Sequence, residues 1–175
     1  GSPVSTADSD KPAETPIRLH DSLRRRKVAL KPLDPNNVRM YVCGPTVYDF
    51  AHIGNFRTYV WEDLLRRSLK LLEMRVTQVM NITDIEDKII RKMQEEGKTL
   101  DDVVGPYIEA FFEDLDTLRV ERAEHYPRAT DYVPQMVELV QRLEEAGHAY
   151  KSDGSIYYRI TTFPGYGKLS GVKPE

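Results

Sequence analysis

The sequence has almost no cysteine and no long apolar run, and both absences exclude classes of protein. Cys43 is the one cysteine among 175 residues, so an internal disulfide is impossible and the fold does not depend on an oxidising compartment. No apolar stretch approaches the roughly 18 residues that a membrane span needs. The N-terminus also lacks the charged start and apolar centre of a signal peptide. We therefore expect a cytoplasmic protein with no membrane partner.

A strong excess of charge of one sign is also missing. Lys and Arg total 25 against 28 Asp and Glu, which gives a formal net charge of −3. This balance excludes bulk attraction to nucleic acid, so a polyanion must meet a local patch. The densest positive patch is residues 23–27, Leu-Arg-Arg-Arg-Lys. We interpret it as a solvated turn between short edge strands, with a phosphate or RNA contact as the alternative.

Large apolar side chains are nearly absent from residues 1–16, which begin with Gly1-Ser2, a pair that resembles a cloning remnant. Such a segment cannot offset its ordering entropy by burial, so we expect a flexible leader. In the whole chain 40% of residues are hydrophobic and 30% are charged. These values are typical of a folded globular chain and exclude a largely disordered one.

Residues 39–82 have the pattern of a strand, a helix and a second strand. Residues 39–43 and 76–82 are rich in β-favouring residues. Between them, apolar residues fall at helical spacing; we expect Trp61 to pack with them and Arg66-Arg67 to lie on a solvated flank. Because such a unit pairs its strands in parallel, the predicted fold class is α/β. The helical apolar residues are Phe56, Tyr59, Val60, Leu64, Leu65, Leu69 and Leu72.

Capping-box patterns mark the starts of the next two helices, at residues 83–86 (Thr-Asp-Ile-Glu) and 99–102 (Thr-Leu-Asp-Asp). The first box would place its two acidic residues in the first helical turn, where they complement the helix dipole. Gly97 should close the first helix, and Gly105-Pro106 should kink or split the second. Two more elements follow, a helix over about 132–146 and a β-hairpin over about 149–158.

Two loops at the carboxyl ends of the predicted strands carry the residues best suited to chemistry. Parallel neighbours would bring residues 43–55 and 81–84 together at one edge of the sheet. At the helix entrance, His52 offers a donor, Gly54 admits a flat group and Asn55 offers an amide. Together with free N–H groups at the helix N-terminus, they suit an anion. A capping cluster with a surface histidine is the alternative.

Three segments in combination closely resemble the start of cysteinyl-tRNA synthetases. They are residues 41–48 (Tyr-Val-Cys-Gly-Pro-Thr-Val-Tyr), 51–55 (Ala-His-Ile-Gly-Asn) and 81–88 (Asn-Ile-Thr-Asp-Ile-Glu-Asp-Lys), and the likeness extends from about residue 17 to 171. The resemblance implies the Rossmann-like parallel sheet of a class I synthetase, with a mainly helical insertion and a β-hairpin. The His-Ile-Gly-His signature of that class is matched except in its fourth place, which holds Asn55.

The resemblance also implies a division of the chain and a reaction. Residues 17–88 would form the first half of the nucleotide-binding catalytic domain, and 89–175 a helical segment and the start of the connective insertion. The family activates L-cysteine with ATP and magnesium to cysteinyl-adenylate and transfers it to tRNA(Cys). The implied catalytic residues are His52 and Asn55, the ATP-binding residues are these two and Gly54, and the substrate-binding residues are Gly44, Thr46 and Thr83.

Cys43 matches one of the family's four zinc ligands. A lone cysteine at a strand end is more often a small buried hydrophobe, but in the family the zinc binds the substrate thiolate and so rejects the serine hydroxyl. The other three ligands and a Lys-Met-Ser-Lys-Ser loop belong to a later part of the family's catalytic domain. We therefore expect an N-terminal part of a synthetase that is inactive alone, with Cys43 and His52 facing a common pocket.

Two alternatives to the synthetase stay open. The related cysteine ligase of mycothiol synthesis shares the zinc and adenylate chemistry but joins cysteine to an amino sugar. A non-catalytic nucleotide-binding module derived from the synthetase fold is the second alternative.

Overall fold

The structure is a computed structural model that describes residues 17–172, so the predicted leader, 1–16, lies outside the described residues. The strands are β1 Arg18–Asp21, β2 Arg26–Ala29, β3 Val38–Val42, β4 Val76–Met80, β5 Ala149–Ser152 and β6 Ser155–Tyr158. The α-helices are α1 Ile53–Leu71, α2 Asp87–Glu96, α3 Leu100–Thr117 and α4 Val133–Glu145, and short 3-10 turns cover Ala129–Tyr132 and Ile160–Thr162.

The predicted strand–helix–strand unit is confirmed. Strands β3 and β4 pair in parallel, in register from Val38 opposite Val76 to Val42 opposite Met80, and α1 connects them. A third parallel segment lies on the other side of β4, where the N–H of Met80 donates to the carbonyl of His125 at 3.0 Å. The sequence pattern did not reveal this segment, because it forms only isolated bridges.

The hairpin predicted over about 149–158 is confirmed, and the short strands expected beside the basic turn also pair as a hairpin. Strands β1 and β2 pair around the basic turn, and β5 and β6 pair around Asp153 and Gly154. Both of these turn residues have positive φ, of 49° and 78°, as a two-residue type I′ turn requires. In the basic turn Arg24 is paired with Asp21, whereas residues 25–27 are exposed. An RNA contact by these residues stays a prediction.

Helix α3 packs in two of the three buried apolar clusters of the described residues. Its residues Phe111 and Leu115 pack with Phe56 of α1 and Met80 of β4, and Val104 packs in a second cluster with residues of the two loops. This burial supplies most of the stabilisation, since apolar surface removed from water contributes about 25 cal/mol per Å². The core therefore links both sides of the division expected at residue 88, and that division stays a prediction.

Helix α1 buries different residues from those expected. Trp61 was predicted to pack, but 63% of it is exposed, and Val60 and Leu64 on the same side are also about half exposed. Arg66, predicted on a solvated flank, is only 7% exposed. Its position seven residues, or two turns, after the buried Tyr59 places it on the buried stripe of the helix, where its charge needs partners.

Arg66 obtains these partners from the segment after α3. Its guanidinium donates to Glu121 at 2.9 Å and to Glu124 at 2.6 and 2.9 Å, and it also reaches Gln78 at 3.3 Å. The Arg66 hydrogen bond lowers the pKa of Glu124 to about 2. Glu124 in turn accepts from the N–H of Gln78 at 2.6 Å. This network ties α1 to β4 and to the segment beside it.

The capping box predicted at residues 83–86 is wrong. Helix α2 begins at Asp87, and its N-cap, Glu86, makes no side-chain cap. Thr83 is instead held in an extended bridge with Thr46. Asp84 is fully buried and accepts from Arg128 at 2.7 Å, so it binds the segment beside β4 and does not complement a helix dipole. Burial alone would raise the pKa of Asp84, but its hydrogen bonds outweigh burial and lower it.

The other helix boundaries follow the sequence more closely. Thr99 and Asp102 form the predicted reciprocal capping box at the start of α3, and Gly97 ends α2 with a left-handed φ of 63°. Helix α3 runs unbroken through Pro106, so the predicted split does not occur. Among the described residues, no helix combines the length and apolarity needed to span a membrane.

Replacing Glu124 by Gln should destabilise the protein by roughly 1–3 kcal/mol at pH 7, because the buried Arg66 loses a charged acceptor. Since the folded pKa of Glu124 is about 2 and its unfolded value is higher, the carboxylate's contribution is full above pH 5. It is lost as the pH falls towards 2. Urea unfolding at pH 7 and pH 3 measures this; Glu138→Gln, on an exposed face of α4, is the control. Equal stability of the E124Q and wild-type chains at pH 7 would contradict the network's role.

Candidate functional site

The two loops expected to converge do converge. Thr46 and Thr83 form a parallel bridge that continues the β3–β4 pairing beyond the strands. The N–H of Thr83 donates to the carbonyl of Pro45 at 2.9 Å, and the N–H of Val47 donates to the carbonyl of Thr83 at 3.0 Å. The loop after β3 is therefore fixed by main-chain hydrogen bonds.

A cleft of about 240 Å³ opens between the loop after β3, the start of α1 and the side of α3. Of the residues predicted for the site, Gly44, Thr46, His52 and Asn55 line it. Cys43, Gly54 and Thr83 lie next to lining residues but are not themselves in the lining. The remaining walls consist of Pro45, Val47, Tyr48, Asp49, Phe50, Ala51, Tyr59, Tyr107 and Phe111.

His52 and Asn55 form a reciprocal cap at the start of α1. The His52 Nδ1 accepts from the N–H of Gly54 at 3.1 Å, and the Asn55 Oδ1 accepts from the N–H of His52 at 3.0 Å. A neutral His52 ring therefore carries its proton on Nε2, which is left as a donor. The capping alternative is thus observed, and it leaves the Nε2–H and the Asn55 amide N–H₂ available to a ligand.

This cap changes how an anion could bind. The N–H groups of Gly54 and Asn55, two of the first in α1, are already used, by the His52 ring and by the His52 carbonyl at 2.9 Å. The helix end therefore offers fewer free N–H groups than the sequence suggested. The side chains of His52 and Asn55 become the main donors towards the cleft.

The two glycines of the site allow close approaches within the protein. A Cβ on Gly44 would lie 1.9 Å from the carbonyl oxygen of Asn81, and the N–H of Gly44 donates to the Asn81 Oδ1 at 3.2 Å. A Cβ on Gly54 would lie 2.9 Å from the His52 ring. These glycines therefore admit a neighbouring loop and an imidazole. That they also admit substrate or a nucleotide base stays a prediction.

Cys43 is exposed at the end of β3. It lies close enough to Tyr59 to contribute to raising the pKa of that phenol to about 12, a shift caused mainly by burial. Tyr59 and Gly44, the residue after Cys43, line the cleft, whereas Cys43 itself is not in the lining. Within residues 17–172, no three His, Cys, Asp or Glu side chains come together as a metal site would require. A pocket shared by Cys43 and His52 stays a prediction.

Glu62 is a half-buried carboxyl that the sequence analysis missed. Burial raises its pKa to about 7, and its Oε2 is buried with no hydrogen-bond partner among the described residues. It lies one turn after Tyr59 on α1. A signal was available, because position 62 falls among apolar helix positions, where an acid is out of place.

A second missed group is the aromatic–lysine flank, which we define as Tyr48, Phe50, Lys88, Lys92 and Tyr107. Lys92 donates to the Tyr107 hydroxyl at 2.5 Å, and the ammonium of Lys88 lies 4.1 Å from the centre of the Tyr48 ring. Tyr48 and Phe50 lie on the loop after β3, the two lysines on α2 and Tyr107 on α3, so the group gave no periodic sequence signal. Only the packing of α2 and α3 against the loop brings them together.

Comparisons with known proteins agree with the geometry. A family model described as the catalytic domain of class I (C) tRNA synthetases matches residues 29–175. Cysteine–tRNA ligase from Protochlamydia amoebophila is 54% identical over 161 residues, which cover 91% of this chain and 34% of that protein. The Leptospira interrogans (serovar Lai) enzyme of the same name is 51% identical over 156 residues, or 89% of this chain and 33% of that one.

One further relative by sequence and one solved structure also match this chain. Cysteine–tRNA ligase from Pyrococcus abyssi is 45% identical over 159 residues, covering 91% of this chain and 33% of that one. A solved Campylobacter jejuni structure described as an arginyl tRNA synthetase has a TM-score of 0.55 at 13% identity, covering 72% of this chain and 38% of that one, which shows the fold alone. The chain spans about a third of the length of its curated relatives.

Replacing Gly54 by Ala should displace the His52 ring, because the new methyl group would press on it. We expect shifted His52 imidazole resonances in NMR spectra and a stability loss of about 1 kcal/mol, as for a weakened helix cap. Gly105→Ala is the matched control, since nothing lies within 4 Å of its added methyl. Unchanged His52 resonances in the Gly54 variant would contradict the close approach.

Replacing Glu62 by Gln should stabilise the protein on the alkaline side only. A folded pKa of about 7 lies above the ordinary value, so the neutral carboxyl is tolerated at low pH and stability is lost as the pH rises through 7. The Gln variant should equal the wild type at pH 5 and exceed it by on the order of 1 kcal/mol at pH 8.5. Urea unfolding at both pH values measures the difference, and the exposed Glu113→Gln is the control. A stability difference between variant and wild type that stays constant across this pH range would exclude a raised pKa of Glu62.

Proposed function

The chain belongs to the family of class I (C) tRNA synthetase catalytic domains, and from this premise we propose that it forms the first part of a cysteine–tRNA ligase. In this proposal β3 and β4 begin a Rossmann-like sheet, and the cleft at their carboxyl ends binds ATP and L-cysteine. The product, cysteinyl-adenylate, then transfers its cysteinyl group to tRNA(Cys). The observation that carries the proposal is the position of His52 and Asn55, capping α1 at the mouth of this cleft.

His52 would stabilise charge as the adenylate forms. The cysteine carboxylate attacks the α-phosphate of ATP, a new P–O bond forms, and the bond to pyrophosphate breaks. With Nδ1 held by Gly54, the His52 Nε2–H is the donor that can reach phosphate oxygens, and the Asn55 amide is a second. Donors held in place before the reaction lower the barrier because they need no reorganisation. No proton transfer by His52 is required.

The remaining predicted residues would shape the substrate side of the cleft. Thr46 lines the cleft, and Thr83 is bridged to it. The Thr83 hydroxyl accepts from the Asn81 amide at 3.1 Å, so its proton is free to be donated to a ligand. Gly44 keeps this wall thin by its close approach to Asn81.

Zinc belongs to the proposal only in part. Cys43 supplies one exposed, soft thiol of the kind that zinc prefers. One ligand does not complete a four-coordinate site, and the described residues bring no further set of ligands together. Cys43 would therefore bind zinc only together with three further ligands. No step described above involves zinc. Magnesium would accompany ATP, and a cytoplasmic location stays a prediction.

A chimera tests the proposal directly. This chain would replace the matching third of the Protochlamydia amoebophila cysteine–tRNA ligase, to which it is 54% identical, and cysteine-dependent exchange of pyrophosphate into ATP would be measured. We expect exchange with cysteine but not with serine, and a loss of roughly 10²–10³ in rate for His52→Ala. The exposed His20→Ala, on β1, is the matched control.

The outcomes of this experiment separate the alternatives. A folded chimera that binds ATP without exchange would favour a non-catalytic nucleotide-binding module. Exchange that survives His52→Ala unchanged would overturn the role of this residue.

A further inference from the structure

We propose that the aromatic–lysine flank, Tyr48, Phe50, Lys88, Lys92 and Tyr107, binds the single-stranded 3′ end of the tRNA. The inference rests on the proposed function and extends it, because it states which surface of this chain receives the RNA. It is carried by the geometry of the flank. Exposed rings and two ammonium groups border the cleft in which the adenylate would form.

The rings of the flank are placed as a stacking surface. Phe50 is 62% exposed and Tyr48 is 37% exposed, and both line the cleft. Phe50 meets the half-buried Tyr107 edge-on, with ring centres 4.9 Å apart and planes at 74°. This contact holds the Phe50 ring in place while leaving much of its surface open. The ring faces of Phe50 and Tyr48 are therefore open to a ligand at the cleft.

The two lysines supply positive charge behind these rings. Lys88 and Lys92 lie one turn apart on α2, so both ammonium groups are on the same side of the helix. Lys88 lies 4.1 Å from the Tyr48 ring centre, and Lys92 lies 4.8 Å from that of Tyr107. Each lysine therefore keeps its charge beside a ring, an arrangement that suits a phosphate next to a stacked base.

The acidic groups near the flank do not cancel this charge. Asp49 and Glu96 are the carboxylates that act on Lys92, and its hydrogen bond to Tyr107 is the main cause of its raised pKa. Glu96 is paired with Lys98 at 2.8 Å, and Asp49 accepts from the N–H of Phe50. Because a hydrogen bond from an N–H leaves Asp49 charged, the two ammonium groups of the flank face this one carboxylate, on a chain whose overall charge is −3.

The chemistry of transfer requires RNA at the rim of this cleft. A ribose hydroxyl at the 3′ end of the tRNA must attack the carbonyl carbon of the adenylate, forming an ester and releasing AMP. The end of the RNA must therefore enter the cleft as a single strand, because a cleft of about 240 Å³ is too small to hold a duplex. Unpaired bases stack on aromatic rings with little regard to sequence, and cations follow their phosphates.

Fluorescence anisotropy on the 175-residue chain tests this inference. The probes are two RNA hairpins with the same stem, one with four unpaired 3′ nucleotides and one blunt. We expect the tailed hairpin to bind more tightly than the blunt one, and Phe50→Ala to weaken tailed binding about fivefold or more. The Lys88→Gln/Lys92→Gln variant should lower the salt slope by about 0.7 for each phosphate that its side chains no longer neutralise.

Matched controls separate this site from general effects. Phe163→Ala removes a ring that is 53% exposed in another part of the chain, and Lys168→Gln removes an exposed charge outside the flank. Neither should change binding of the tailed hairpin by more than twofold. Thermal melting checks that each variant is folded. Because Phe50 is exposed, replacing it by Ala should leave the fold intact. The Phe50 variant therefore tests the inference even if the lysine variant destabilises α2.

The outcomes also distinguish this inference from the proposed function, since ATP binding is measured on the same proteins. Equal binding of tailed and blunt hairpins, or wild-type binding by both flank variants, overturns the inference and leaves ATP binding intact. A wild-type chain that discriminates the tail but binds no ATP overturns the nucleotide-binding part of the proposed function and supports the flank. RNA binding that disappears only when residues 25–27 are neutralised would place the RNA at the basic turn and overturn the inference.

Discussion

The cleft depends on one close approach between two strand ends. Gly44 passes so near the carbonyl of Asn81 that any Cβ there would collide with it. Beyond this point, main-chain hydrogen bonds across the Thr46–Thr83 bridge continue the parallel pairing into the loops. Because the backbone is held on both sides, His52 begins α1 in a defined place, and its ring can be fixed by Gly54. The site's geometry follows from backbone contacts more than from side-chain packing.

Two buried charges hold the frame around this cleft. Arg66 connects α1 to Glu124, and Asp84 connects the loop after β4 to Arg128. Both pairs end on the segment that lies parallel to β4, so that segment is fixed at each end. A buried charge without its partner is strongly destabilising, which makes these pairs determinants of where β4 can lie.

Local sequence predicted the elements better than it predicted their surfaces. The capping box at Thr99 and the turn at Asp153-Gly154 succeeded because each depends on hydrogen bonds and φ values within a few residues. The box at Thr83 failed because a bridge from a distant loop took the same backbone. The predictions for Trp61 and Arg66 were both wrong, because Trp61 is exposed and Arg66 is buried. Helical spacing identifies which positions form a stripe, but it does not identify the polar partners that can bury a charged residue there.

The sequence alone determined the strand–helix–strand unit, the helix entrance at residues 52–55 and the family resemblance, because periodicity, capping residues and local motifs are written in short stretches of chain. Only the tertiary structure decided that Arg66 is buried and that Phe50 meets Tyr107 beside two lysines. These features join residues tens of positions apart. They arise from packing between elements, whose free energy is shared among many contacts and leaves no signal at any single position.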